Sequence, residues 1–401
     1  MSVKVFVTGI GTITAVGSGK EETWDAIVTK QSGIRPIRFL TTRHTGSALA
    51  GEVGASNTEL AERLGISDVH LYSRTALLGM IAAEAAWQDA HIPDPKQLRT
   101  GVVSATTVGG IDKSELFFRA YLQDAGTDYD VRSLVSHDCG DSTERIARRL
   151  GIQDFVTTIS TACSSSANAI MLGARMIRSG RLDRVLVGGT DALTIYTLNG
   201  FNALKILDED WCRPFDAQRK GLNLGEGAGY LVLESELSLS VSGNTPYCRV
   251  AGYGNTNDAY HQTASSPDGS GAYKAMEEAL QVAGMSAQMI DYINAHGTAT
   301  PNNDLSEGLA IVRMFRDGVP TFSSTKAFTG HTLAAAGAIE AVLSVLSLRH
   351  QTYLPNLNFS EPMPETGIVP VTEPNAARLQ TILSNSFGFG GNCSSLIFSL
   401  S

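Results

Sequence analysis

The sequence has no Cys-x-x-Cys pair, no excess of basic charge and no short-period repeat, and each absence removes a class of function. Five cysteines in 401 residues, odd in number and without metal-ligand spacing, read neither as a disulfide framework nor as a metal site, and they favour a reducing compartment. A net charge of -9 argues against a general nucleic-acid binder. No apolar run reads as long enough to span a bilayer. The first residues, Val3-Lys4-Val5-Phe6-Val7, are strand-like and show no charged-then-apolar secretion signal. A cytoplasmic protein that meets neither membrane nor nucleic acid is therefore expected. What the chain does have is glycine, 40 residues of it, in an ordinary globular composition of 43% hydrophobic and 18% charged residues. That length supports two or more domain-sized units, with tight turns and close backbone approaches.

Strand-like and helix-like segments alternate along the chain. Strands are expected over residues 3–8, 100–106, 155–159, 184–188, 229–234, 247–254, 290–295 and 394–400, with 380–386 leading into the last. Helices are expected over 20–29, 73–90, 167–178, 271–283, 305–314 and 334–349. Such alternation predicts an α/β fold. The polar stretch 235–246 lacks periodicity and reads as a joint between an N-terminal half, 1–240, and a C-terminal half, 241–401. An internal echo links the halves. Ser160-Thr161 precede Cys163 and a small-residue helix, and Ser324-Thr325 precede Lys326, Gly330-His331 and another. Two helices of this kind suit a buried layer between sheets.

Cys163 lies in Thr161-Ala162-Cys163-Ser164-Ser165, between a strand-like and a helix-like segment. There a helix dipole and unpaired N–H groups favour thiolate, and small neighbours leave the sulfur reachable, as a nucleophile requires. Cys139, Cys212, Cys248 and Cys393 read as small buried hydrophobes. Three further runs place polar groups among small residues. Asn294-Ala295-His296-Gly297-Thr298-Ala299-Thr300 follows a strand; alone, its histidine is more often structural than catalytic. Thr325-Lys326-Ala327-Phe328-Thr329-Gly330-His331 enters an apolar helix, and a buried Lys326 needs a carboxylate such as Glu340 or Asp304. Asn385-Ser386-Phe387-Gly388-Phe389-Gly390-Gly391-Asn392 frees backbone N–H groups to face a ligand, with Phe389 as a movable plug, although a glycine-rich hairpin is the commoner use. No Asp-His-Ser order supports a serine hydrolase. Gly225-Glu226-Gly227-Ala228-Gly229 lacks the Lys-Ser/Thr of a phosphate loop.

With these motifs, and with Arg213-Pro214-Phe215-Asp216, the chain resembles the β-ketoacyl-acyl carrier protein synthases of the elongating synthase II type, nearly end to end. The resemblance implies a thiolase-like fold of two βαβαβαββ halves in five αβαβα layers, and a homodimer, with a related subunit as an alternative partner. It implies a decarboxylative Claisen condensation of an acyl group held on Cys163 with a malonyl group on an acyl carrier protein, giving a 3-oxoacyl thioester. No cofactor or metal is implied. His296 and His331 would hold the malonyl thioester oxygen. Lys326 would set charge balance with Glu340, and Asp304, Thr298 and Thr300 would support the site. The backbone N–H groups of Cys163 and Phe389 would form an oxyanion hole, and Gly388 and Gly390 would let Phe389 gate the acyl pocket. Val108, Ala162 and Phe201 would line that pocket, and Lys205 and Arg74 would grip the carrier. Ser67-Asp68-Val69-His70-Leu71-Tyr72 lacks the family's basic docking residues, and Asn392-Cys393 replaces its more usual Thr-Asn. The alternatives are a non-catalytic partner subunit of the chain-length-factor kind, which usually lacks the cysteine, and an acyl-carrier-binding scaffold. Fatty acid synthesis and a type II polyketide or polyene route both remain open.

Overall fold

The computed structural model describes residues 3–46, 48–92, 94–123, 131–316 and 318–400. Its principal elements run in chain order as β1 (Phe6–Thr14), α1 (Arg74–Asp89), β2 (Thr100–Ala105), α2 (Cys139–Leu150), β3 (Phe155–Ile159), α3 (Ser165–Arg178), β4 (Arg184–Asp191) and β5 (Gly227–Glu234). The same βαβαβαββ succession then repeats as β6 (Cys248–Asn257), α4 (Ser270–Ala283), β7 (Tyr292–Asn294), α5 (Pro301–Met314), β8 (Thr321–Ser323), α6 (Ala336–His350), β9 (Thr381–Phe387) and β10 (Asn392–Ser399).

Sheet order follows the repeat. The first half runs β3-β2-β4-β5-β1 and the second β8-β7-β9-β10-β6, the same permutation twice. Within each half the first three strands in that order are parallel and the last two antiparallel. The halves join where β1 and β6 pair at Phe6↔Arg249 and Val7↔Cys248. Between the halves the chain crosses through a short helix, Glu236–Ser242, capped by Ser235, where the sequence suggested only an irregular joint.

Five layers result. α3 packs on β2 and β4, α6 packs on β5 and β9, and α3 and α6 touch each other. α1 covers the opposite face of β1, β4 and β5, with α2 beside it; α4 covers β6 and β10, with α5 beside it. α6 is buried from Ala336 to Leu348. By length and composition the segment Leu333–His350 could cross a membrane, against the sequence expectation, yet 89% of it is buried inside this fold.

Glycine explains how the outer helices approach the sheet. A Cβ on Gly9 or Gly11 of β1 would lie 2.2 Å from the carbonyl oxygens of Ala86 or Ala82 on α1. A Cβ on Gly252 or Gly254 of β6 would lie 2.2 Å from those of Ala279 or Ala275 on α4. One Gly-x-Gly per half thus lets an alanine-rich helix lie directly on a strand.

Arg74 is not a docking residue. It is 8% exposed, and its Nη2 lies 2.6 Å from Glu226 Oε1, with Nε 2.8 Å from Oε2. Its Nη1 and Nη2 donate to the carbonyls of Ala55 and Val53 at 3.0 and 3.1 Å. A fork so fully used inside the protein cannot reach a partner's surface. Glu226, from the glycine run that lacked phosphate-loop chemistry, is its counter-ion and also accepts from the N–H groups of Val53 and Leu193. Arg74→Ala is expected to lower stability by about 3–5 kcal/mol, because it strands a buried carboxylate. In urea unfolding the midpoint should fall accordingly, while KM for a carrier protein stays unchanged in the folded variant; a raised KM at unchanged stability would restore the docking role.

Candidate active site

The candidate residues leave the sheet at equivalent places. Cys163 follows β3 and precedes α3, and Lys326 and His331 follow β8 and precede α6, so they occupy matching junctions in the two halves. His296 follows β7 and Phe389 follows β9. All lie beyond the C-terminal ends of parallel strands, where α/β folds collect ligands. Cys163, His296, Thr298, Thr300, His331, Phe201, Lys205, Gly388 and Phe389 line one cavity of about 270 Å³.

At its floor, Cys163 Sγ lies 3.0 Å from His331 Nε2. The two imidazoles meet edge to face, with ring centroids 5.4 Å apart. Lys326 is buried behind them, paired with Glu340, and its Nζ lies 3.2 Å from His296 Nδ1. An ammonium only donates, so Nδ1 of His296 must accept and its Nε2 must carry the ring proton. Burial and then the Lys326 charge push both histidines well below their ordinary range. Both are neutral at neutral pH.

Burial pushes the Cys163 thiol up to about 11, against the lowering effects of the Lys326 charge and the Phe389 N–H. The expectation that the helix end would leave it a thiolate is corrected here: α3 begins only at Ser165, and desolvation of a buried sulfur outweighs the positive groups around it. Ala162, just before it, holds φ at 52°, a left-handed conformation uncommon for alanine.

Further carboxylates hold the loops. Of the two proposed partners of Lys326, only Glu340 pairs with it. Asp304 instead accepts from the N–H groups of Phe215 (2.8 Å) and Ala299 (3.1 Å), so it shapes the turn after His296. Glu307, which sequence reading missed, accepts from the N–H groups of His296 (2.9 Å) and Gly297 (2.8 Å) and from Asn385 (3.1 Å). A usable signal existed: Asp304 and Glu307, three apart, both lie on the buried face of α5. His331 is held by main chain, donating to the Asn223 carbonyl at 2.8 Å and accepting from Gly225 N–H at 2.9 Å.

The glycine loop closes the cavity. The ring of Phe389 stacks on that of Phe201 at 5.7 Å and 18°. Gly390 has φ 82° and donates to the Gln262 carbonyl at 2.7 Å, so its conformation does require glycine. Gly388 has an ordinary φ of -109°, and its constraint is space: a Cβ would come within 3.0 Å of the Thr161 carbonyl and 3.1 Å of Cys163 N. Asn392 fixes the loop's far end, its Oδ1 accepting from Ser164, Asn168 and Asn255 at 2.7–3.0 Å. Val108 and Ala162 do not line the cavity. Val108 is buried in an apolar cluster with Leu193, Leu198, Leu222, Leu224 and Leu333, against which Phe201 packs. Lys205 and the unanticipated Lys220 stand exposed at the cavity's rim.

Family models match both halves: "Beta-ketoacyl synthase, N-terminal domain" over residues 2–238 and "Beta-ketoacyl synthase, C-terminal domain" over residues 247–360. The chain is 33% identical to a 3-oxoacyl-[acyl-carrier-protein] synthase 2 of Staphylococcus aureus strain MRSA252, covering 99% of this chain and 98% of the relative. It is 33% identical to the protein of the same name in Vibrio cholerae, covering 98% of each. Among solved structures, the ishigamide ketosynthase/chain length factor superposes with a TM-score of 0.94 at 32% identity over the whole of both chains. A ketosynthase (ApeO) in complex with its chain length factor (ApeC) from Xenorhabdus doucetiae superposes with a TM-score of 0.85 at 31% identity, covering 100% of this chain and 98% of that one. With both domain models matched in order and the sulfur beside two imidazoles at the ends of the repeated strands, the chain belongs to the β-ketoacyl synthase family.

Proposed function

We propose that the protein is a condensing enzyme that joins an acyl group, held as a thioester on Cys163, to a malonyl group on an acyl carrier protein, releasing CO₂ and a 3-oxoacyl thioester. The observation that carries this reading is one buried thiol 3.0 Å from one neutral imidazole, with a second imidazole edge-on to the first.

In the first half-reaction Cys163 Sγ attacks the carbonyl of an acyl-carrier thioester. Its proton passes directly to the departing carrier sulfur, so that His331 keeps the Nε2–H that the second step uses. The Phe389 N–H, which already faces the sulfur, stabilises the tetrahedral oxyanion; one such donor typically contributes about 10²–10³ in rate. In the second, a malonyl thioester takes the carrier's place. Its C–CO₂ bond breaks, and the electron pair moves into an enolate whose oxygen accepts from His296 Nε2–H and His331 Nε2–H. The enolate carbon then attacks the acyl-cysteine carbonyl and expels the Cys163 thiolate. Neutral imidazoles suit this step, because they donate without surrendering a proton to the enolate. Lys326 keeps His296 in the donating tautomer, and Glu340 balances its charge.

The setting fits a soluble carrier substrate. Lys205 and Lys220 give the rim of the cavity positive charge in a chain of net -9, which suits the phosphate-bearing arm of an acidic carrier. All five cysteines are free, as a cytoplasmic enzyme's would be. The helix Ile111–Leu122 exposes Leu116, Phe118, Tyr121 and Leu122, each at 59–65%, which marks a protein interface. We assign that face to pairing with a second copy or a related subunit. The chain-length-factor complexes among its structural relatives are protein pairs of the second kind. The non-catalytic readings are set aside because the nucleophile and both imidazoles are in place.

Incubation with acyl-carrier thioester should add one acyl mass to the intact chain, and Cys163→Ala should abolish it; acylation persisting at another residue would refute the assignment. His296→Ala should leave acyl transfer to Cys163 within about tenfold of the native rate while lowering CO₂ release from malonyl-carrier by about 10²–10³. Equal loss in both steps would show that the imidazoles do not divide the labour this way. Alkylation of Cys163 by iodoacetamide should keep accelerating beyond pH of about 9.5, one unit above the ordinary thiol value, where an unperturbed thiol levels off, because burial raises the thiol to about 11. Lys326→Met removes a cation that favours thiolate, so it should raise the midpoint further and slow alkylation at every lower pH. A plateau by about pH 9.5 in the native protein would show that the positive groups outweigh burial.

A further inference from the structure

One buried carboxylate near the site is not used by the chemistry above. Asp191 ends β4 and is fully buried. Its Oδ1 accepts from the Thr106 hydroxyl at 2.5 Å, Val108 N–H at 3.0 Å and Thr107 N–H at 3.1 Å. Its Oδ2 accepts from the Thr107 hydroxyl at 2.7 Å and Ala334 N–H at 2.8 Å. Burial pushes the Asp191 carboxyl up, and these five donors, three of them peptide N–H groups that cannot accept a proton in return, favour the carboxylate against it.

The donors come from two distant places in the chain. One is the 106–108 loop, which leaves β2 and carries Val108 into the apolar cluster behind Phe201. The other is the turn Leu333–Ala335, which begins two residues after His331 and feeds α6. Leu333 in that turn has φ 52° and belongs to the same apolar cluster as Val108. A leucine in the left-handed region stays there only when its surroundings dictate it, and the Asp191 bond to the next N–H is one such constraint.

We propose that Asp191 is a positioning residue that clamps the Val108 loop to the turn after His331, so that a single carboxylate sets both the apolar wall behind Phe201, which lines the cavity, and the placement of the imidazole. The selectivity part of this assignment rests on reading Cys163 as the acyl acceptor; the clamp itself does not. An acyl chain that displaces Phe201 presses on the apolar cluster that holds Val108 and Leu333 and so, through Asp191, on the turn that follows His331. Asp191 further adds a negative charge to the surroundings of Cys163, alongside Glu340, against Lys326 and the two neutral histidines.

Asp191→Asn keeps the shape but turns one accepting oxygen into a donor facing donors. Thr107→Val removes one strut of the clamp and keeps the charge. Each variant is checked for folding by thermal melting. Two quantities are then read: the ratio of Cys163 acylation rates with short and long acyl-carrier thioesters, by intact mass, and the pH midpoint of iodoacetamide alkylation. In Asp191→Asn the ratio should change by about tenfold and the alkylation midpoint should fall. In Thr107→Val the ratio should change by about threefold in the same direction with the midpoint unmoved. A purely structural role would slow all primers alike. A folded Asp191→Asn with a native ratio overturns the proposal; if that variant does not fold, a native ratio in Thr107→Val overturns it. If the native protein is acylated by no carrier thioester, the functional reading falls instead. Iodoacetamide alkylation of Thr107→Val, which keeps the charge, then decides the clamp, and a native alkylation rate at every pH in that folded variant overturns it.

Discussion

The site depends on one buried cation. Lys326 sits at the start of the turn into α6, almost without solvent, between Glu340 on that helix and the ring of His296. An ammonium in such a place is costly unless it is paired and hydrogen-bonded, and here it is both. What the fold gains is chemical, since the cation leaves His296 a single tautomer and directs its remaining proton into the cavity. Together with burial, which is the larger effect, it keeps both imidazoles from protonating, since a second positive charge nearby would be repelled. Removing Lys326 would cost more than an ion pair: Glu340 would be left buried and uncompensated, and His296 would be free to turn over.

That arrangement exists because the chain repeats itself. Each half orders its strands identically, and each sends one helix into the layer between the sheets. The N-terminal ends of those two helices meet, one bringing Cys163 and the other Lys326 and His331. The remaining strand ends supply His296 and Phe389. Duplication of a structural unit thus places two helix starts face to face at a dry junction, and different residues at equivalent positions bring a thiol and an imidazole together.

Much of this was legible from residues alone. The strands over 100–106 and 155–159 and the helices over 20–29, 73–90 and 271–283 fall within a residue or two of their observed limits. The motifs around Cys163, His296, Lys326 and Phe389 stood out because small residues surround a reactive one. What could not be read was buried polar structure that is assembled from distant segments. Glu307, Asp191 and Asn392 each bind peptide N–H groups or amides brought together only by folding, and in sequence a lone acidic residue looks like solvated surface. Arg74 failed for the complementary reason: a basic residue opening a helix reads as exposed until its carboxylate partner, 152 positions away, is placed beside it. The Gly-x-Gly pairs at 9–11 and 252–254 are the instructive middle case, since their spacing was visible but its meaning, the close seating of a helix, was not.

The raised thiol belongs to the same balance. A sulfur buried deeply enough to keep water from an enolate is also buried deeply enough to hold its proton, so dryness works against nucleophilicity. Lys326 and the Phe389 N–H recover part of that loss without opening the site. The rest must come from the encounter itself: when a thioester carbonyl takes the place facing the Phe389 N–H, charge leaves sulfur for an oxygen that has a donor waiting. In the proposed reaction Phe389 would serve both ends of the compromise, because its ring stacks on Phe201 at the cavity while its N–H faces the sulfur. If the loop gates the cavity as proposed, it would need freedom at one residue and firm attachment at another, and Gly390 at φ 82° and the triply bonded Asn392 lie within three positions of each other.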